Sequence, residues 1–252
     1  MNIKGTGIKK ILHNGFTENP SSVTINGYVQ KTIKNSYNLT QTDNRIIIYF
    51  SSLRSCVNMF NSVQMESIEI NIDDPISNIT NMFYKCGKLE KLNINNFYLS
   101  SNFEAYQLFY SCGSLTSLDL IRISASAKKI DSMFQGCSSL TSIKNLKFDT
   151  SNVQSMNNLF YGCSKITKIE FSFSSNSLIS TQGMFQGCTI LSKIVFPSSF
   201  ASKVTNMNNM FYGCTSLSPI DFTKLKTSNA QKMDYMFYGC NSLHYYYKFL
   251  LF

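Results

Sequence analysis

Apolar positions between residues 56 and 243 follow one phrase that repeats at an almost constant interval. The phrase ends in a cysteine in seven copies, at steps of 26, 25, 26, 25, 26 and 26 residues: Cys86, Cys112, Cys137, Cys163, Cys188, Cys214 and Cys240. An eighth, degenerate copy has Val63 in place of the cysteine. A unit repeated every 20 to 50 residues or so predicts a solenoid, because one unit cannot bury its own apolar face and must stack on its copies.

Two apolar spacings follow each other within one unit. Val204, Met207, Met210, Phe211 and Cys214 are spaced as one face of a helix, and a glycine before the cysteine suits a helix end. After the cysteine comes Leu-x-x-Leu-x-apolar, in which the last two apolar residues alternate as in a strand. This is the leucine-rich-repeat pattern. We therefore predict an α/β repeat solenoid, a right-handed arc of about seven to eight strand-plus-helix coils of 25–26 residues.

One coil departs from the strand pattern. Asn145 stands where other coils carry an apolar residue such as Ile94 or Leu120. Either the strand bulges at Asn145, or Leu146 takes the inward place.

The two ends of the chain differ from the repeats. Residues 1–55 contain two β-like runs, PSSVTINGYVQ and DNRIIIYF, with Asn26 and Gly27 as a hairpin turn, and we interpret them as a β-like N-terminal cap. The solenoid itself is predicted over residues 56–243. Residues 244–252 form an irregular or truncated end, in which three tyrosines replace the expected strand. The open sheet edge predicted there makes end-to-end self-association a hypothesis.

The composition excludes several classes of function. The net charge is +9, but the basic residues are scattered and no dense basic stripe predicts nucleic-acid binding. No apolar run is long enough to predict a transmembrane span. The two histidines, His13 and His244, lie outside the repeats, and no phosphate-binding or dinucleotide-binding glycine pattern is present. We therefore expect no catalytic residues, no cofactor and no enzymatic activity.

The seven repeated cysteines, which we call the cysteine column, could also form disulfides or a metal site. Neighbouring coils would bring its Cα atoms to about 5 Å, which is within the range of a disulfide. All seven cysteines lie in the apolar stripe, however, and no C-x-x-C pair is present to indicate a metal site. We therefore predict buried free thiols that act as small apolar side chains.

Two sets of side chains are candidate binding surfaces. The strand column is the set between the last two apolar strand positions, which we expect to face solvent: Glu69, Asn93, Asp119, Lys144, Glu170, Val195 and Asp221. It is either a charged docking strip for a protein partner or a solvated face with cross-strand ion pairs to lysines such as Lys91, Lys168 and Lys193.

The tyrosine column follows the core phenylalanine and contains Tyr84, Tyr110, Tyr161, Tyr212 and Tyr238, with Gln135 and Gln186 in the remaining copies. It is either an exposed face for protein or glycan, or a set of rings packed between coils.

The phrases LTSLDL and FDTSNVQSMNNLF and the repeated MFYGC resemble the BspA-like leucine-rich-repeat surface proteins over residues 56–243. The resemblance implies a cell-surface or secreted module that adheres to or binds extracellular or host proteins. Residues 1–16 lack the apolar core of a signal peptide, so a cytoplasmic location is the alternative. We predict a noncatalytic protein-binding solenoid, with an intracellular protein–protein interaction scaffold as the second hypothesis.

Overall fold

The computed structural model describes residues 1–120, 126–146, 149–171, 176–198, 200–218, 220–221 and 223–243, without the side chains of residues 71, 73, 95 and 96. The predicted irregular end at 244–252 lies outside the described residues. Short strands and turns stack along one axis, so the described part of the chain is a β-solenoid.

Thirteen strands are present in the described residues: β1 (Asn2–Lys4), β2 (Gly7–Lys10), β3 (Ser22–Ile25), β4 (Tyr28–Val29), β5 (Ser36–Leu39), β6 (Asp43–Tyr49), β7 (Ser67–Asn78), β8 (Lys91–Glu104), β9 (Ser117–Asp119), β10 (Ala127–Lys129), β11 (Ser142–Lys144), β12 (Lys168–Glu170) and β13 (Lys193–Val195). A seven-stranded sheet has the order β10-β8-β7-β1-β6-β3-β4. Three two-stranded sheets pair β11 with β9, β12 with β13 and β2 with β5.

The N-terminal strands form an antiparallel sheet that joins the first coil. β3 and β4 are a hairpin in which Asn26 and Gly27 have φ of 51° and 88°, so the predicted turn is confirmed. Two successive positive φ angles match the right-handed twist of the two strands. β1 lies between β6 and β7 and continues the sheet from the N-terminal strands into the repeats. The role of these strands as a cap stays a prediction.

Strands follow Val63, Cys86, Cys112, Cys137, Cys163 and Cys188, as predicted, and they pair in parallel as β7 with β8, β9 with β11 and β12 with β13. Ile68 of β7 lies opposite Leu92 of β8, and Ile169 of β12 lies opposite Ile194 of β13. Equivalent residues of successive coils therefore stand side by side, and each apolar column becomes a continuous ridge of the core.

The helix predicted before each cysteine is wrong. The described residues contain no α-helix, and the one helical segment among them is a 3-10 turn at Asn241–Leu243. Each coil instead has two left-handed residues four positions apart, for example Asn81 and Lys85, each with φ of 57°. Successive N–H groups alternate in direction: that of Met82 donates within the coil to Ile79 (3.1 Å), and that of Phe83 donates to Leu108 of the next coil (3.0 Å). An α-helix would direct all of them along its own axis.

The core positions predicted from the helical spacing are nevertheless confirmed. Val204, Met207, Met210, Phe211 and Cys214 are all fully buried. Consecutive turns hydrogen-bonded from residue i to i+3 return every third or fourth side chain to the same side, as a helix does. The spacing therefore identifies the buried face in both structures and does not distinguish them.

The largest buried feature is a stack of phenylalanine rings, one from each copy of the repeated phrase. Neighbouring centroids are 5.3–5.8 Å apart and neighbouring planes lie within 14°. Its members are Phe60, Phe83, Phe109, Phe134, Phe160, Phe185, Phe211 and Phe237. The stack joins every coil to the next through the centre of the core.

A left-handed residue in the turns gives a testable prediction at Gly183. Its φ is +60°, and a Cβ built there would overlap the Oδ1 atom of Asn158 in the preceding coil. We expect Gly183→Ala to lower the free energy of unfolding by about 1–3 kcal/mol in urea denaturation. Gly87 is the matched control, because its φ is ordinary and its Cβ would lie 3.9 Å from the nearest atom, on Gln64. Equal effects of Gly87→Ala and Gly183→Ala would contradict the explanation.

Candidate functional site

The strand column lies on the exposed face of the sheet. Six of its members are exposed and Val195 is partly buried. Neighbouring members face each other across the ladders: Glu69 with Asn93, Asp119 with Lys144, and Glu170 with Val195. The spacing of the column is thus fixed within each of these three strand pairs, and its role in binding stays a prediction.

Part of the charge of the strand column is neutralised by an ion pair within β12. The ammonium group of Lys168 lies 2.5 Å from the carboxylate of Glu170, and both side chains are about half exposed. The hydrogen bond and the positive charge of Lys168 lower the pKa of Glu170. An exposed pair of this kind adds little stability. The described residues contain no ion pair that involves Lys144, so its cation remains available on this face.

Of the two alternatives raised for the irregular coil, the inward place of Leu146 is confirmed, whereas β11 ends at Lys144 and its ladder with β9 contains no bulge. Asn145 has φ of 56°, which breaks the strand directly after β11, and Leu146 points inward with 6% of its surface exposed. The amide of Asn145 turns outward and donates a hydrogen bond of 2.6 Å to the carboxylate of Asp119.

The sheet is interrupted beside this irregular coil. β11 pairs with β9, β12 pairs with β13, and no backbone hydrogen bond between β11 and β12 occurs in the described residues. A cavity of about 540 Å³ opens between them, lined by residues 141–146, residues 166–170 and Phe160. Asn145, a polar residue where the other coils have an apolar one, marked the site of this break in the sequence. The sequence pattern did not predict that β11 and β12 would be unpaired.

The tyrosine column combines the two alternatives left open by the sequence. Tyr84 stacks on Tyr110 with centroids 4.8 Å apart, and Tyr212 stacks on Tyr238 at 5.1 Å. Tyr161 stands between Gln135 and Gln186 in the column and is 37% exposed. The rings therefore pack between coils and still present an edge to solvent. The ammonium group of Lys85 lies over the Tyr84 ring, 5.2 Å from its centroid.

The cysteines are free and buried, and their thiols have a specific structural role. Each thiol of the column donates a hydrogen bond to the carbonyl of the core phenylalanine in the preceding coil. The thiol of Cys137, for example, lies 3.1 Å from the carbonyl oxygen of Phe109. Cys56, outside the column, occupies the inward position that Ile79 takes in the next coil. Burial raises the pKa of every one of these thiols, so none is an activated nucleophile.

No helix in the part of the chain that the structure describes is long and apolar enough to cross a membrane. In the same residues, no group of three or more histidine, cysteine, aspartate or glutamate side chains is arranged to hold a metal ion.

Comparison with known families gives one match. The family model described as a BspA type leucine rich repeat region matches residues 56–180 and 102–244, in six copies. The comparisons with curated proteins and with solved structures gave no match. The family match spans most of the chain and coincides with the repeats, so the chain belongs to the BspA-type leucine-rich-repeat family.

Proposed function

We propose that this BspA-type leucine-rich-repeat protein is a noncatalytic binding module that acts outside the cell and recognises another protein through the exposed strand face. The observation that carries the proposal is the strand column, in which exposed charged side chains stand in register within three pairs of parallel strands. Leucine-rich-repeat solenoids bind partners over such extended surfaces. The finer architecture that we propose is a right-handed arc of seven to eight coils, with the N-terminal strands as its cap.

The binding face is testable by photo-crosslinking at single positions. Benzoylphenylalanine in place of Glu170 probes the strand column, and the same residue in place of Ile190 is the control. Ile190 is also exposed, at 44%, but lies in the turn after Cys188. We expect a discrete crosslinked protein from position 170 and none from position 190 in cells that produce the chain. Equal crosslinking at both positions would contradict recognition through the strand face.

The cell-surface or secreted location rests on the family resemblance, and an intracellular scaffold is the second candidate. The free cysteines favour the scaffold, since a reducing compartment preserves thiols. Intact source cells treated with a membrane-impermeant amine reagent distinguish the two. We expect labelling of exposed lysines such as Lys91 and Lys168. Labelling only after lysis would replace the surface role with the scaffold.

A further inference from the structure

We infer that Asn14 is a self-modification site, at which the chain converts its own asparagine into aspartate or isoaspartate with the imidazole of His13 as the general base. The reaction takes place in the turn that follows β2, and it is independent of the proposed protein binding.

The turn brings together the three groups that this reaction needs. The N–H of Phe16 donates to the carbonyl of His13 at 3.0 Å and closes the turn. Inside the turn, the N–H of Gly15 donates to the Nδ1 atom of His13 at 2.9 Å. Asn14 stands between them, exposed to solvent. The backbone nitrogen that follows Asn14 is therefore already hydrogen-bonded to a base.

Glycine at position 15 makes this close approach possible. A Cβ atom built on Gly15 would lie 3.1 Å from Nδ1 and 3.2 Å from Cε1 of His13, which is tighter than ordinary packing. Glycine is the residue that lets a backbone approach another group this closely. The absence of a side chain also leaves the nitrogen of Gly15 unshielded towards the amide carbon of Asn14.

The imidazole of His13 is in the protonation state that a base requires. Burial, and after it the positive charge of Lys10, lower the pKa of His13 from its ordinary value of 6.5. The ring is therefore neutral at neutral pH, and its Nδ1 atom can take up a proton. A general base acts from about 2.6–3.2 Å, and the distance between Gly15 N and His13 Nδ1 lies in this range.

The reaction has two steps and consumes one water molecule. In the first step, the N–H of Gly15 transfers its proton to Nδ1 of His13 while the nitrogen forms a bond to Cγ of Asn14. The side-chain amino group leaves with that proton as ammonia, and a cyclic imide remains. In the second step, water adds to either carbonyl of the imide and one C–N bond breaks. The product is aspartate or isoaspartate, and its carboxylic acid then releases a proton.

The other Asn-Gly pair of the chain, Asn26 with Gly27, is held in place and serves as an internal control. The Oδ1 atom of Asn26 accepts from the N–H of Arg45 at 2.8 Å, and its Nδ2 atom donates to Oδ1 of Asn44 at 3.1 Å. The backbone N–H of Asn26 also donates to the carbonyl of Arg45, at 2.9 Å. Attack by the nitrogen of Gly27 would break the side-chain bonds, so we expect Asn26 to stay intact in the folded protein.

The modified turn lies where the N-terminal strands contact the first coil. Ile11 and Leu12 are fully buried, and the N–H of His13 donates to the carbonyl of Met59 at 3.0 Å. Aspartate adds a negative charge directly after this contact, and isoaspartate also lengthens the main chain there by one carbon atom. The charge and the backbone of this junction therefore change as the protein ages.

Peptide mass spectrometry of the full chain measures the reaction, because a single tryptic peptide, residues 11–31, contains both Asn-Gly pairs. The purified protein is incubated at neutral pH for several weeks, and fragmentation of the peptide assigns each converted residue. We expect Asn14 to react at least about tenfold faster than Asn26 in the folded protein. In urea, where the hydrogen bonds of Asn26 are lost, we expect the two rates to approach each other.

Two variants test the base. His13→Ser keeps an acceptor, since a serine hydroxyl can bond the N–H two residues further on, but it removes the basic nitrogen. His13→Phe keeps an aromatic ring and removes the acceptor. We expect both to slow the conversion of Asn14 about tenfold and to leave Asn26 unchanged. Urea midpoints show whether each variant is folded.

Two outcomes would overturn the inference. One is equal conversion of Asn14 and Asn26 in the folded wild type, whether both react or both stay intact. The other is a wild-type rate at Asn14 in folded His13→Ser or His13→Phe. If neither variant folds, the ratio of the two rates in the wild type, folded against urea, decides alone.

Discussion

Raising the pH from 8 to 10 is expected to unfold this protein cooperatively. Burial raises the pKa of Cys56, Cys86, Cys137 and Cys188 from the ordinary value near 9 to about 12, and it raises that of the other four thiols as well. The folded protein holds these protons while the unfolded chain releases them. The stabilisation is thus complete below about pH 9 and is lost as the pH rises from about 9 to about 12.

The size of the effect follows from the number of thiols. One thiol costs about 1.4 kcal/mol of stability for each pH unit in this range. Eight buried thiols together cost on the order of 10 kcal/mol per unit, which is comparable with the entire stability of a typical domain. Urea midpoints at pH 8, 9, 9.5 and 10, followed by circular dichroism with a reductant present, measure the loss.

A valine variant separates the thiols from other groups that titrate at alkaline pH. Val63 occupies the cysteine position in the first copy and is fully buried, so Cys137→Val is compatible with the core. We expect this variant to lose about 1.4 kcal/mol less per pH unit than the wild type above pH 9. Equal slopes in both proteins, or a stability that does not change between pH 8 and 10, would show that the thiols do not control alkaline unfolding.

The sequence predicted the contents of the core better than the shape of the backbone. The period of the cysteines and the spacing around Phe211 identified the buried residues and the parallel stacking, because stacking requires the same column to be apolar in every coil. The predicted helix was wrong because consecutive turns and helices share that spacing of apolar residues.

The sequence signal that we missed is a second left-handed position in each copy, four residues before the one that precedes the cysteine. It is asparagine or glycine in five of the eight copies (Asn58, Asn81, Asn158, Gly183 and Asn209) and another residue in three (Gln107, Ser132 and Tyr235). Asparagine and glycine are the residues that tolerate this conformation best.

The sequence likewise predicted one part of the candidate site and not the other. The members of the strand column could be predicted, since the alternation of side chains along a strand is local. The separation of β11 from β12 could not, because it depends on how two coils pack against each other. Asn145 marked the position, but a polar residue in an apolar column fits a bulge within a continuous sheet equally well.

Replacing one phenylalanine of the central stack is expected to be the most damaging single substitution. Phe134 is fully buried, and its ring lies 5.8 Å from that of Phe109 and 5.3 Å from that of Phe160. Phe134→Ala removes a large side chain and leaves a cavity. The hydrogen-bonded backbone ladders between closely spaced coils prevent that cavity from collapsing. We expect a loss of about 3–5 kcal/mol in the free energy of unfolding, measured by urea denaturation at pH 7.5.

The control for the loss of stability in Phe134→Ala is the same substitution at the end of the phenylalanine stack. Phe237 is half-buried in the last described coil and stacks on Phe211 with centroids 5.3 Å apart. A solenoid is stabilised mainly by contacts between neighbouring coils, so a cavity in a central coil weakens two interfaces and divides the array. We expect Phe237→Ala to cost less than half as much as Phe134→Ala, and Gln135→Ala, on the exposed side of the same turn, to change stability by less than about 0.5 kcal/mol. Similar losses at positions 134 and 237 would mean that the stack does not couple the coils, and that each coil is stabilised by its own turns.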